Sequence, residues 1–134
     1  MSAIMLDSDI CIFAMRGRPA SVVRRLARSQ PGEVILSSIS AAELWTGVAK
    51  SENREKSREK LMSFLGGVRV LDWPTAAAIR YASIRAYLEL RGSRIGELDL
   101  LIATHALHED LPLVTNNAKE FRRVPGLKVE SWIR

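Results

Sequence analysis

The stretch "IMLDSD", Ile4–Asp9, runs an apolar segment into two carboxylates two residues apart, and its reading decides the fold. Acids and serine after an apolar run are ordinary in a turn, and Asp9 could cap a following helix. The alternative is a buried strand whose carboxyl end carries a metal-binding acid. That reading stands only if further acids arrive at the same place.

Working outward, short segments rich in Val, Ile and Leu recur at Ala3–Leu6, Val34–Leu36, Val68–Leu71, Leu113–Val114 and Leu127–Val129. They read as strands. Between them Ser21–Ala27, Ala41–Lys50, Arg54–Leu65, Thr75–Arg91 and Leu98–His108 read as helices. In Thr75–Arg91 the residues Ala77, Tyr81, Ile84 and Leu88 form one apolar stripe at helical spacing. Pro74 precedes that helix and Gly92 follows it, the usual asymmetry of helix ends. Strands alternating with helices imply a mainly parallel sheet covered on both faces, a three-layer α/β/α domain spanning 1–134. The mixed-charge run "SENREKSREK" reads as a solvated helix face.

Open parallel sheets place working groups at the carboxyl ends of their strands. Asp7 follows the first strand, Glu43 the second, and Asn116 and Asn117 the fourth, while Asp99 opens the helix before the fourth strand. These positions converge on one sheet edge, which a turn at Asp7 does not explain. Two competing roles stay open. Ser40-Ala41-Ala42-Glu43 matches a capping box, and Asp99 would favour the positive end of its helix in any case. Glu97 and Asp99 lie about 200° apart around a helix axis, so only one can face the site. Apolar neighbours assign Asp99 to the sheet and Glu97 to solvent.

The chain of 134 residues is 47% hydrophobic and 26% charged, which fits a globular domain with a sizeable core. A single cysteine excludes a disulfide framework or a cysteine-rich zinc cluster and suggests a reducing, cytoplasmic setting. Cys11 reads as a small buried residue and His105 as a hydrogen-bonded core histidine, with His108 at the surface. Trp45, Trp73 and Trp132 are isolated, which favours packing over base stacking. No apolar run approaches the ~20 residues that span a bilayer, and "MSAIMLDSD" is too short and too acidic for a signal peptide. The net charge of +5 suits a polyanionic or acidic partner. Nucleotide-binding glycine loops are not present.

Four segments in order, "MLDSDICIF", "ISAAELWTGVAKS", "RGSRIGELDLLIATHAL" and "LVTNNAKEFRRVPGLKVESW", resemble the signature regions of PIN-domain ribonucleases. They resemble most the toxin subunits of bacterial VapBC toxin–antitoxin pairs. The resemblance implies a PIN-like fold, Mg²⁺ or Mn²⁺ dependence, and endoribonuclease activity on structured RNAs such as tRNA. It also implies a homodimer and a cognate VapB-type antitoxin, with a higher assembly when that antitoxin is bound. By position Asp7, Glu43 and Asp99 match the family's first three acids. The fourth falls on Asn117, where the family often has Asp, or on the nearby Glu120. "LDSD" departs from the more usual Thr then Asn, which leaves the role of Asp9 open between metal and cap. Arg94, Arg91 and Lys50 are the candidate phosphate contacts, against a reading of plain surface solvation.

An oxygen-only acid set selects hard cations such as Mg²⁺ or Mn²⁺. Two other readings remain. "LDSD" also has the D-x-D form that follows the first strand of haloacid-dehalogenase-type phosphatases, whose other motifs are not evident. A PIN-fold protein could also act only by binding RNA or antitoxin.

Overall fold

The computed structural model describes residues 3–133. Five short strands, β1 (Ile4–Leu6), β2 (Val34–Ser37), β3 (Arg69–Leu71), β4 (Leu113–Val114) and β5 (Val129–Glu130), form one sheet in the order β3-β2-β1-β4-β5. Every pairing is parallel. β1 is central, with Ile4 opposite Val34 on one side and Met5 opposite Leu113 on the other. Its three residues are all buried, as are the four of β2. A strand covered on both faces reads as an unbroken apolar run, which is what "IML" and "VIL" display.

Helices cover the two faces. On one side α1 (Ser8–Arg16), α2 (Ala20–Ala27) and α4 (Arg54–Leu65) pack Ile10, Cys11, Val22 and Leu61 around Leu6 and Leu36. On the other α5 (Ala78–Leu90) and α6 (Glu97–His108) pack Ile84, Leu88, Leu100 and Ile102 around Met5 and Ile35. α3 (Ser38–Ala49) leaves the carboxyl end of β2 and sends Leu44 into the first core and Ile39 toward the second. A short α7 (Ala118–Phe121) follows β4 and buries Phe121. Adjacent residues of β1 thus serve opposite cores, as the two-residue alternation of a strand requires. Truncating a fully buried Leu6 would cost about 2–5 kcal/mol, transfer and cavity together.

The three-layer expectation holds, with all five strands parallel. Several local readings change. The capping box at Ser40–Glu43 does not form: the helix begins earlier, at Ser38, and Ser37 is the cap, its Oγ accepting from the Ile39 N–H at 3.1 Å. Ser40 therefore lies inside α3, buried. Asp9 is not a cap either, because Asp7 fills that position by accepting from the Ser8 N–H at 2.8 Å. α1 and α7 were not legible. α1 is one short helix of weak formers closed by Gly17 at φ 75°, a left-handed turn that glycine adopts without strain. Thr75–Arg91 divides into a 3₁₀ turn at Thr75–Ala77 and α5.

Candidate active site

β1 ends at Leu6, and α1 starts two residues later. Asp7, in between, is held over the carboxyl edge of the central strand. Its Oδ1 accepts from the Ser8 N–H, and its Oδ2 accepts from the Thr115 hydroxyl at 2.8 Å, just past β4. At 5% exposure it is the most enclosed of the acids. Burial raises its pKa, against the opposing hydrogen bonds of Thr115 and Ser8. Glu43, half-buried on α3, accepts from the Ser8 hydroxyl at 3.0 Å. Burial raises its pKa too, with the Asp7 charge adding to the effect.

Asp99 sits in the first turn of α6. Burial lifts its carboxyl to about 7, helped by a hydrogen bond to Glu120 and by the charges of Asp7, Glu120 and Glu43. Asp9 is lifted to about 6, first by burial and then by the charge of Asp7. Its Oδ2 accepts from the Asn116 N–H at 3.2 Å. Five acids from β1–α1, α3, α6 and α7 therefore occupy one electrostatic neighbourhood.

The structure separates the two candidates for the fourth position. Asn117 is exposed at the start of α7, and its side chain makes no cap. Glu120 is half-buried beside Asp99, and its Oε1 is buried without a partner. Asp9 Oδ1 is likewise buried and unpaired. Orphaned carboxylate oxygens and acids whose pKa values are raised by burial and by each other's charge fit a site for a hard divalent cation. Among the described residues no three such groups stand close enough to form a ready-made cage. They stand as two neighbouring pairs, Asp7 with Asp9 and Asp99 with Glu120.

Ser8 and Thr115 were missed in the sequence. Thr115 follows β4 directly, so the strand-end rule that marked Asn116 would have marked it as well. Among the candidate phosphate contacts, Arg94 turns its guanidinium to Glu97 at 3.8 Å, on the solvent side of α6. Its backbone carbonyl accepts from Arg123 Nη1 at 3.1 Å, which ties its loop to the end of α7. Arg91 stacks on Tyr87 at 3.7 Å from the ring centre, and Lys50 caps the far end of α3. Glu97 is exposed and paired with Arg85 at 3.2 Å, as expected of the solvent-side acid. His105 is a fully buried core histidine and Cys11 a fully buried thiol whose pKa burial drives up. A hollow of about 520 Å³ between α2 and α4 is lined by no ionisable side chain.

A PIN domain family model matches residues 4–127. Ribonuclease VapC2 of Rickettsia felis is 41% identical over 129 residues, covering 96% of each chain. The tRNA(fMet)-specific endonuclease VapC of Shigella flexneri is 41% identical over 132 residues, covering 98% of this chain and 99% of its own. Among solved structures, VapBC2 from Rickettsia felis bound to a promoter DNA fragment has a chain that superposes with a TM-score of 0.89 at 39% identity. That match covers 98% of this chain and 99% of the other. DNA-bound VapBC from Salmonella typhimurium gives 0.89 at 38%, covering 99% and 100%. With an all-parallel sheet of the same fold, an acidic edge and relatives matched end to end, the chain belongs to the PIN domain family, among its VapC members.

Proposed function

We propose that this protein is a divalent-metal-dependent endoribonuclease, the toxin of a type II pair neutralised by a VapB-type antitoxin. One observation carries the reading: Asp7, Glu43, Asp99 and Glu120, remote in sequence, share the carboxyl edge of the sheet, and no basic group is among the causes of the raised pKa values of Asp7, Glu43 and Asp99. Asp7, Asp99 and Glu43 are the proposed ligands of Mg²⁺ or Mn²⁺, with Glu120 in the fourth position. When bound, such an ion activates water and stabilises the charge of an in-line displacement at phosphorus. The chain's own residues do the rest. Thr115 and the Ser8 N–H fix both oxygens of Asp7, and the Ser8 hydroxyl orients Glu43. Arg94, in the loop before α6, is the proposed contact for a backbone phosphate, which would replace its present partner Glu97.

The partner reading has separate support. A groove of about 390 Å³, lined by Ile12, Met15, Leu44, Val48 and Leu61, has Glu43 in its wall. An apolar antitoxin segment lying there could present an arginine to the acids, a strong charge-assisted pair. Ile79 and Leu90, 81% and 86% exposed on one face of α5, support a homodimer formed through that face. The relatives' names make tRNA the first substrate to test, and the reading places the protein in the cytoplasm. A phosphatase using Asp7 as nucleophile is disfavoured, since that carboxyl is enclosed and both its oxygens are engaged.

The test is cleavage of an RNA mixture that includes initiator tRNA, with Mg²⁺ or Mn²⁺ and with EDTA. Metal-dependent internal cuts are expected. Cleavage that survives complete chelation would overturn the metal mechanism.

A further inference from the structure

The helices that carry Asp99 and Glu43 are fastened to each other behind the acids. His105 of α6 and Ser37 at the start of α3 are both fully buried, with Nδ1 and Oγ 2.8 Å apart. Ser37 Oγ already accepts from the Ile39 N–H, so its own proton is free to go to Nδ1. Nε2 lies 3.9 Å from Glu109 Oε2, beyond hydrogen-bond reach, and has no other partner among the described residues. The contact with Ser37 is therefore the hydrogen bond that holds the ring.

Trp73, in the loop after β3, bridges the same two helices. Its backbone N–H donates to Ser38 Oγ at 3.0 Å, and its indole Nε1–H donates to the Leu101 carbonyl at 2.8 Å. The ring is steadied edge-on by Tyr81, with centroids 6.4 Å apart. Two independent ties, one direct and one through an indole, thus join the base of α3 to the middle of α6.

The spacing gives these ties a role. Glu43 lies six residues beyond Ser37, and Asp99 lies six residues before His105. Six helical residues span about 9 Å, so both acids are carried by equal helical arms from one pinned junction. Carboxylates facing each other repel, and the arms would splay to relieve that repulsion unless held at the base. Packing alone would be satisfied by leucine at position 105. A buried imidazole is tolerated only if it is hydrogen-bonded, and this one bonds to the neighbouring arm.

We propose that His105 and Trp73 are positioning residues: through Ser37 and Ser38 they lock α6 to the start of α3 and so set the gap between Asp99 and Glu43. This rests on the metal-site reading above. The groups that orient ligands typically change metal affinity or turnover 10–100-fold when removed.

The experiment compares wild type, His105→Leu, His105→Asn, Trp73→Phe and Ser37→Ala. Mn²⁺ binding is followed by electron paramagnetic resonance, and RNA cleavage is resolved into kcat and KM per folded molecule. His105→Leu should weaken Mn²⁺ binding and lower kcat by about tenfold each, leaving KM for RNA unchanged. Asparagine places an amide where Nδ1 stood, so His105→Asn should restore both. Trp73→Phe removes the indole N–H with its five-membered ring and keeps one aromatic ring, and it should shift both quantities the same way by less. If His105→Leu melts at a lower temperature but binds Mn²⁺ and turns over like wild type, the histidine serves stability alone and the proposal falls. Should that variant fail to fold, Ser37→Ala is judged by the same two readouts, and wild-type values there overturn it. Wild-type protein that binds no Mn²⁺ would instead sink the metal reading itself, a distinct outcome.

Discussion

The Ser8 hydroxyl donates to Glu43 Oε1 across 3.0 Å, joining the first residue of α1 to the second acid. Glu43 is thereby aimed at the site rather than back at its own helix, and its charge serves no cap. Glu43→Gln should melt within about 1 kcal/mol of wild type, because the amide oxygen still accepts from Ser8. Cleavage should fall by more than about tenfold, as for loss of any metal-orienting group. Differential scanning calorimetry with a cleavage assay checks both. A large stability loss with activity intact would return Glu43 to a structural role.

Asp7→Asn separates charge from shape. Asparagine caps helices as well as aspartate does, so the bond from the Ser8 N–H survives while a buried charge disappears. The metal-free variant should be as stable as wild type or more so. Mn²⁺ should raise the melting temperature of wild type by mass action and leave the variant unmoved. Its cleavage should vanish. An active Asp7→Asn protein would end the case for this site.

The raised acids set a pH dependence with a definite sign. Asp9 near 6 and Asp99 near 7 keep protons in the folded state that the unfolded chain has already released above about 4. Their contribution to stability is present at low pH and is lost as pH rises through 6 and 7. Metal-free protein should therefore melt progressively lower between pH 5 and pH 7.5 on this account. Asp99→Asn should flatten that slope. Divalent ion competes with the same protons, so its stabilisation should grow over the same interval. A wild-type slope unchanged by Asp99→Asn would show that Asp99 does not titrate there.

The apolar face of α5 predicts an assembly. Leu90→Asp places a charge where 86% of a leucine is exposed, so it costs the isolated chain little. Light scattering should report twice the 14.9 kDa chain mass for wild type and one chain mass for the variant. A wild-type monomer would remove the dimer.

The sheet and the three principal acids were legible because buried parallel strands announce themselves as apolar runs, and strand ends are where acids matter. Less legible was anything decided by contacts between distant segments. The start of α3 was misread because Ser37 was assigned to neither strand nor helix, so Ser40 became the nearest capping residue. Nothing local to "TNNAKEF" says that Glu120 turns toward Asp99 while Asn117 faces solvent. Thr115 and Ser8 are ordinary hydroxyls until the sheet brings them to Asp7 and Glu43. α7, at four residues, is too short for periodicity to register.

Asp7 and the hydroxyl that completes its environment are 108 residues apart. The central strand cannot be flanked on its β4 side until the last fifth of the chain has emerged from the ribosome. Until then the first acid lacks Thr115, and Glu120 does not yet exist. A chain still being synthesised, or one cut short before Leu113, therefore lacks the assembled acidic edge. The topology leaves the acidic edge unbuilt until the molecule is nearly whole, because its contacts join the first strand to the last part of the chain.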